Sequence, residues 1–333
     1  MTPLERRSSA SLSFIFALRM LGLFLVLPVF ALEARKYPGG DDAAFVGMAM
    51  GIYGLTQALL QIPFGMASDK WGRKPVVIAG LLIFAAGSAL AAWAPSLQWL
   101  LAARALQGAG AISAAVTALL ADQTRDVVRT KAMAMVGASI GLVFALSLVL
   151  SPLLAASVGL HGLFALTAAL ALGGIAVVLW WVPPEPAVQV DAGRGGLLTV
   201  LRHPGLLRLD FGVFVLHAVQ LSMWVAIPAM LVQAGLPGEQ HWYVYLPALL
   251  ASLFVMGATL FPLERRGYLR AVFLSAIGLI ALVQLALWGL VLAGPSVLML
   301  GLVLLVFFCG FNVLEASQPS LASRLAPAHS RGA

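Results

Sequence analysis

The sequence predicts an all-α, polytopic membrane protein, and three observations lead to that prediction. First, 61% of its 333 residues are hydrophobic and only 10% are charged, whereas soluble domains contain about 45–50% apolar and about 25% charged residues. Second, apolar runs recur along the whole chain, each close to the roughly 20 residues that a helix needs to cross a bilayer. Third, a helix satisfies its own backbone hydrogen bonds in lipid, whereas an open strand does not.

Ten such runs can be counted, six before and four after a polar connection that is rich in Pro and Gly. Their bounds are 12–32, 43–64, 76–94, 98–120, 132–154, 161–182, 207–231, 242–262, 270–293 and 296–316. The chain therefore divides into a six-span N-terminal bundle, a central loop, a four-span C-terminal bundle, and a tail or the start of a further span: 1–182, 183–206, 207–316 and 317–333. Within the loop, LLTVLRH predicts a short amphipathic helix on the membrane surface.

The basic residues indicate the orientation of these spans. Lys and Arg are concentrated in alternate gaps, whereas the opposite gaps contain only Arg35 and Lys36. Positive charge marks the cytoplasmic side, so the N-terminus, the central loop and the C-terminus are predicted to be cytoplasmic. The net charge is +7, but the basic residues form no stripe, and we expect no nucleic-acid partner.

Several chemical functions are disfavoured by missing motifs. The sequence has no G-x-x-x-x-G-K-[ST] loop for ATP and no G-x-S-x-G nucleophile elbow. Its single cysteine, Cys309, excludes a cysteine metal cluster, and the residues suggest no other metal centre. We therefore expect neither an enzyme nor a bound cofactor.

One charged stretch, GMASDKWGRKPVV at 65–77, stands between two apolar runs. Gly65 and Gly72 permit a tight turn and close helix approach, and Asp69 and Arg73 are four residues apart, a spacing that pairs side chains on a helix. One interpretation is an ordinary positive-inside loop.

The same stretch resembles the loop 2–3 signature of the major facilitator superfamily. RALQGAGA in span 4 is a second similarity, and LRMLGLFLVLPV in span 1 and FNVLEASQPSL in span 10 look like the YajR-type branch of the proton-driven drug efflux transporters. The span 5 motif of drug:proton antiporters is matched only in part. Gly137, Gly141 and Pro152 fit it, but Ser151, Ala155 and Ala156 stand where glycines are expected.

The resemblance implies a fold of six plus six spans, of which this sequence shows six plus four and apparently lacks spans 11 and 12. We therefore expect a major facilitator fold with an incomplete C-terminal bundle. The resemblance also implies a charge relay of Asp69, Arg73 and an acid after span 4, which Asp122 matches. We call the following group the latch and expect it to lock one conformation: Gly65, Asp69, Gly72, Arg73, Lys74 and Asp122.

Ionisable groups at bilayer depth are costly and are functional candidates. Those assigned to proton coupling are Glu315, Arg104, Arg19, Asp210 and His217. Arg104 needs an acid or carbonyl oxygens as partners. Arg19 and Glu315 lie at similar depths, so we expect them to approach each other or to share a water-filled vestibule. The alternatives are an interhelix strut for Arg104, a water-facing helix end for Glu315 and a hydrogen-bonded strut for His217.

The candidate substrate cavity consists of polar and aromatic residues on spans 2, 7 and 10: Tyr53, Gln57, Gln61, Gln220, Trp224 and Asn312. Asp210, His217 and Trp224 recur at seven-residue spacing and share a helix face. The polar stripe of span 2 alternatively bonds a neighbouring helix. Beside it, Gly47, Gly51, Gly54 and Ala58 form a small-residue stripe that predicts helix packing.

These observations favour a proton-coupled secondary transporter that exports small amphiphilic compounds across the bacterial inner membrane by alternating access. Its expected partners are a small-molecule substrate, protons and the lipid bilayer, and the resemblance implies a monomer. Two alternatives remain open: an importer or facilitator of a small metabolite, and an inactive truncated remnant.

Overall fold

A computed structural model describes residues 1–185 and 204–325. Every regular element in these two ranges is a helix, which confirms the all-α prediction. The chain divides into two compact units, Met1–Val190 and Asp191–Ala333, which we call unit 1 and unit 2. The surface helix predicted at 197–203 lies outside the described residues.

Unit 1 contains seven helices within its described part. They are α1 (Pro3–Val26), α2 (Phe30–Ala34), α3 (Ala43–Trp71), α4 (Arg73–Ala92), α5 (Leu97–Ala109), α6 (Ser113–Asp122) and α7 (Asp126–Trp180). Side chains fix several starts. Thr2 and Glu5 form a capping box at α1, and Asp42 and Ser96 accept backbone N–H groups at the starts of α3 and α5.

Helix α7 contains two of the expected spans. Its 55 residues would extend about 80 Å if straight, but Gly159 interrupts it with φ +63°, a backbone conformation that favours glycine. Ser139 donates to the Ser13 carbonyl at 3.2 Å, and Thr167 donates to the Gly22 carbonyl at 3.0 Å. On a straight helix Ser139 and Thr167 would lie about 42 Å apart, but their partners on α1, Ser13 and Gly22, are only about 14 Å apart along that helix. The chain therefore reverses at Gly159.

The fourth expected span, 98–120, is not one continuous helix. It is interrupted between α5 and α6, where Gly110, Ala111 and Ile112 are non-helical. The Gly110 carbonyl accepts a hydrogen bond from Arg19 at 3.2 Å. A partner from another helix therefore satisfies a backbone group near the interruption, which is how broken helices persist in lipid.

The main core of unit 1 lies between α1, α4, α6 and α7. Its buried side chains include Leu12, Ile15, Val77, Leu81, Ile112, Val116, Leu119 and Val178. A smaller cluster joins α3, α4 and α7 through Tyr53, Phe84 and Ala171. The two clusters border the polar residues described below and fix their positions.

Unit 2 has four long helices in its described part, α8 (Pro204–Gln233), α9 (Trp242–Arg265), α10 (Leu269–Ala293) and α11 (Val297–Leu325), and a 3₁₀ turn at Gly238–Gln240. Helix α11 packs against the other three. Helix α11 continues to Leu325, beyond residue 316, where the apolar run of predicted span 10 ends.

Nine helical stretches in the described ranges are long and apolar enough to cross a membrane. The stretch Asp126–Trp180 contributes two crossings because it reverses at Gly159. The structure thus accommodates the ten predicted spans.

Candidate functional site

Three charged residues of the predicted latch, Asp69, Arg73 and Asp122, form a compact ionic cluster at the end of unit 1 where α4 and α7 begin, which we call the basic end. The Arg73 guanidinium contacts the Asp69 carboxylate through Nη1, and its Nε donates to Asp122 Oδ2 at 3.1 Å. Nη1 also donates to Ser68 Oγ at 2.7 Å. Arg73 therefore joins the end of α3 to the end of α6, with one cation serving two carboxylates.

Gly72 is the single residue between α3 and α4. Its φ of +94° lies where side chains are rarely tolerated, and a methyl group added there would lie 3.2 Å from Glu185 Oε2. The turn at Gly72 places Arg73 in the first turn of α4. At Gly65, in contrast, there is room for a side chain, because an added methyl group would lie at an ordinary contact distance of 3.6 Å from Ala114 Cβ.

Sequence reasoning missed Glu185, which the structure places against the latch. The two Glu185 carboxylate oxygens accept the backbone N–H groups of Arg73 and Lys74 at 2.8 and 2.6 Å. The Lys74 ammonium donates to the Val182 carbonyl at 2.8 Å. No local pattern in the sequence indicates this contact, because Glu185 is 112 residues from Arg73.

A second ion pair at the basic end was also missed. Arg125 Nε donates to Glu5 Oε1 at 2.7 Å, joining the first turn of α1 to the connection between α6 and α7. This hydrogen bond, together with the charge of Glu5, raises the pKa of the Arg125 guanidinium. The pair fixes the position of the α1 start.

Arg19 is 1% exposed and lies in the interior of unit 1. Its guanidinium donates to Ser113 Oγ, Tyr53 Oη and the Gly110 carbonyl, each at 3.2 Å. It also lies 5.4 Å from the centre of the Phe84 ring, a cation–π distance. Arg19 thus joins α1, α3 and the α5–α6 interruption through neutral partners.

Arg104 is 2% exposed, and its hydrogen-bond partner is a side-chain carbonyl oxygen of its own helix. Its Nη1 donates to Gln107 Oε1 at 2.5 Å, and Gln107 donates to Ser88 Oγ at 2.8 Å. The guanidinium carbon lies 4.6 Å from the centre of the Tyr53 ring and 5.8 Å from that of Phe30. The Gln107 oxygen is a carbonyl oxygen of the kind that we expected, and two aromatic faces complete the described surroundings of the guanidinium.

The polar stripe of α3 is only partly engaged inside unit 1. Tyr53 is buried and contacts both arginines, whereas Gln57 and Gln61 are half-buried. The adjacent small-residue stripe does not show the expected packing at two of its positions. A methyl group added at Gly47 or Gly54 would meet no atom of the described residues within 4 Å.

In unit 2 the structure brings together two of the residues assigned to proton coupling. His217 Nε2 on α8 lies 3.7 Å from Glu315 Oε2 on α11, and both side chains are about half exposed, at 48% and 52%. His217 Nδ1 lies 2.9 Å from the Val213 carbonyl, so the neutral ring carries its proton on Nδ1 and leaves Nε2 to face Glu315. Asp210 is exposed in the second turn of α8.

The three cavity candidates of unit 2 have different surroundings. Trp224 is 3% exposed and packs edge-on against Tyr245, with ring centres 5.3 Å apart. Asn312 donates from Nδ2 to Ser252 Oγ at 2.9 Å, which joins α11 to α9. Gln220 is half-buried on α8.

Two apolar clefts flank α10 in unit 2. One, of about 480 Å³, lies between α9, α10 and α11, and its few polar side chains include Thr259 and Ser275. The other, of about 570 Å³, lies between α8, α10 and α11 and is bordered by Arg208 and Gln318. Among residues 1–185 and 204–325, no group of three His, Cys, Asp or Glu side chains is arranged to hold a metal ion.

The chain thus combines a helical membrane fold with buried arginines in unit 1 and a His–Glu pair in unit 2. Residues 12–333 match the family described as the Major Facilitator Superfamily. The chain belongs to this superfamily, whose members are transporters rather than enzymes.

Curated relatives and solved structures agree with this assignment. The chain is 43% identical over 336 residues to the inner membrane transport protein YajR of Escherichia coli (strain K12), covering 100% of this chain and 73% of that protein. It is 28% identical to the multidrug resistance protein MdtH of Edwardsiella ictaluri, over 94% of this chain and 77% of that one. Its fold is similar to that of a bacterial homolog of the human lysosomal transporter Spinster, with a TM-score of 0.74, 15% identity and coverage of 99% and 78%.

Proposed function

We propose that this chain is a proton-coupled secondary transporter that exports small amphiphilic compounds across the bacterial inner membrane by alternating access. The observation that carries the proposal is the His217–Glu315 pair, with 3.7 Å between Nε2 and Oε2. The name of the 43% identical relative, an inner membrane transport protein, supports the location. The multidrug resistance relative supports the substrate class. The distribution of Lys and Arg supports a cytoplasmic N-terminus.

Proton coupling needs a site whose charge changes with one proton and whose charge alters the balance between two conformations. A protonated His217 attracts an ionised Glu315, whereas a neutral His217 leaves that carboxylate without the attraction. One proton therefore changes whether the two side chains attract each other. Because α8 and α11 each contribute one partner, protonation alters the force between two helices.

The latch is proposed to stabilise one of the two conformations. Arg73 joins α3 to α6 through Asp69 and Asp122, whose side chains are 38% and 43% exposed. Ion pairs of this exposure contribute about 0–1 kcal/mol each. Such an energy is small enough for the ion pairs to break in each transport cycle. Two pairs together are nevertheless enough to change the ratio of the two conformations severalfold.

Substrate contact is proposed for Tyr53, Gln57 and Gln61 of unit 1 and for Gln220, Trp224 and Asn312 of unit 2. An aromatic and amide lining suits varied amphiphilic compounds, because adaptable surfaces tolerate different partners. The transporter is proposed to act as a monomer, with protons as the coupling ion and no nucleic-acid partner.

Inverted membrane vesicles energised by respiration provide the test. Hoechst 33342, an amphiphilic cationic dye, reports transport by fluorescence loss, and an acridine dye reports proton movement. We expect dye transport that collapses when an uncoupler removes the proton gradient. Glu315→Gln and His217→Gln should each reduce it at least tenfold, whereas Glu239→Gln, at an exposed position in unit 2, should have no effect. Unaltered gradient-driven transport in Glu315→Gln would refute the proton site.

A facilitator or importer of a small metabolite is the second candidate. The observation in its favour is the altered antiporter motif of span 5, where Ser151 and Ala155 are buried in α7 at positions for which the family resemblance implies glycine. The same vesicles distinguish the two candidates, since a facilitator equilibrates its substrate without moving protons.

A further inference from the structure

The short segment after α7, residues 181–185, is bound to several other elements at the basic end. Its backbone carbonyls accept side-chain donors from α1, from α4 and from the residue after α6: Arg7 Nε to Trp181 at 2.9 Å, Lys74 Nζ to Val182 at 2.8 Å, and Gln123 Nε2 to Pro183 at 3.1 Å. The end of a helix leaves carbonyls that need such partners. The segment is therefore held in one place.

This placement lets Glu185 cap another helix. Gly72, the residue before α4, has no side chain to accept the first N–H groups of that helix, and α4 has no cap from its own N-cap residue. Glu185 supplies both acceptors instead, at 2.8 Å from the Arg73 nitrogen and 2.6 Å from the Lys74 nitrogen. One carboxylate thus satisfies two of the four N–H groups that a helix start leaves open.

The electrostatics of α4 explain why a carboxylate suits this position. The N-terminus of a helix carries a partial positive charge, which favours anions and disfavours cations. Helix α4 nevertheless begins with two cations, Arg73 and Lys74. The negative charge of Glu185 offsets both the helix dipole and the two side chains. Without it, the first turn of α4 would be destabilised where Arg73 must be held in position.

We propose that Glu185 is a positioning residue for the latch: by binding the first turn of α4, it holds the Arg73 guanidinium where it contacts Asp69 and Asp122 together. The effect on transport rests on the proposed function, whereas the effect on the Arg73–Asp122 pair does not.

The pair can be tested without any substrate, by a mutant cycle on the purified protein in detergent. Apparent Tm values are measured for Arg73→Gln, Asp122→Asn and the double variant, with Glu185 intact and with Glu185→Gln. With Glu185 intact, the double variant should lose clearly less than the sum of the single losses, because either change alone breaks the pair. With Glu185→Gln, the losses should become additive. A glutamate that only capped the helix would lower every Tm and leave the non-additivity unchanged, and that result would overturn the proposal.

Two controls complete the cycle. Asp126 lies in the first turn of α7, and its side chain is 86% exposed. The variant Asp126→Asn should leave the Arg73–Asp122 coupling intact. Glu185→Asp keeps the charge and both acceptor oxygens and should restore at least half of the coupling. Coupling lost with Asp126→Asn, or still absent with Glu185→Asp, would count against the positioning role.

Amide hydrogen exchange of the unmutated protein tests the contact even if Glu185→Gln does not fold. Helix α7 begins without a side-chain cap from its own N-cap residue, so its first amides, at Asp126 and Val127, are an internal reference. After correction for intrinsic rates, the Arg73 and Lys74 amides should exchange at least tenfold more slowly. Equal exchange at the two helix starts would refute the contact. If exchange and coupling behave as expected but dye transport is absent, the proposed function fails while the positioning role stands.

Discussion

Gly108→Ala tests a close contact between α5 and α3, at the residue Tyr53 that contacts both buried arginines. A methyl group added at Gly108 would lie 2.1 Å from Thr56 Oγ1 and 2.2 Å from the Tyr53 carbonyl oxygen. Ordinary contact begins at 3.4 Å, so α5 must move away from α3 by about 3.4 − 2.2 = 1.2 Å. The obstacle includes backbone, which a rotamer change cannot remove.

The energetic consequence follows from two opposing effects. Overpacking of a tight contact costs about 1–3 kcal/mol, while Ala in place of Gly favours a helix by about 0.5–1 kcal/mol. Gly54→Ala on α3 is the matched control, because its methyl group would meet no described atom within 4 Å and only the favourable effect applies. The two variants should therefore differ by about 1–3 kcal/mol.

Thermal unfolding in detergent, followed by tryptophan fluorescence, measures this difference. A change of 1 kcal/mol corresponds to about 2–4 °C in domains of 150–250 residues, so Gly108→Ala should unfold several degrees below Gly54→Ala. Its dye transport should also fall, because Tyr53 moves with α3. Equal Tm values for the two variants would refute the close contact and the position of Tyr53 that depends on it.

Three further outcomes are expected. Gly72→Ala should lower the free energy of unfolding by about 1–3 kcal/mol, because φ at this position is +94°, and a Tm equal to that of the parent protein would contradict the observed turn. Arg104→Lys should lower Tm and reduce dye transport, since an ammonium cannot reproduce the planar guanidinium against Gln107 and Tyr53; Arg265→Lys, at an exposed position, is its control. Burial and, to a smaller extent, the charge of Glu33 raise the pKa of Tyr37 to about 12. The neutral form of Tyr37 therefore stabilises the folded protein below pH 10, and this stabilisation is lost as the pH rises from 10 towards 12. Tyr37→Phe should therefore flatten the decline of Tm over that interval, and an unchanged decline would exclude Tyr37 as its source.

The latch shows which contacts a sequence can predict. Asp69 and Arg73 are four residues apart, which suggested a contact on one helix. The contact forms across the turn at Gly72 instead, and family resemblance supplied Asp122. Glu185 was missed because it follows two prolines in a segment with the composition of a linker, and its partners are backbone groups, which every sequence position has. Only the reversal of α7 at Gly159, which returns the chain to the basic end, brings Glu185 to α4.

The partners of Arg104 illustrate a signal that was present but not used. Gln107 is three residues further along α5, a spacing that places two side chains on one face. An acid or carbonyl oxygens were expected, because a buried cation needs such partners. The carbonyl oxygen of Gln107 is one such partner. The aromatic faces beside it depend on the approach of α2 and α3, which residue spacing does not predict.

The geometry also divides the five residues assigned to proton coupling by what each can do. Arginine keeps its proton in proteins, and Arg19 and Arg104 bind hydroxyl, amide and carbonyl groups, so we interpret them as fixed positive charges. Asp210 is exposed near the start of α8. His217 and Glu315 face each other from two different helices. We therefore propose this pair as the place where a proton acts on conformation, and Glu315→Gln, rather than a change at either arginine, is the variant that tests it most directly.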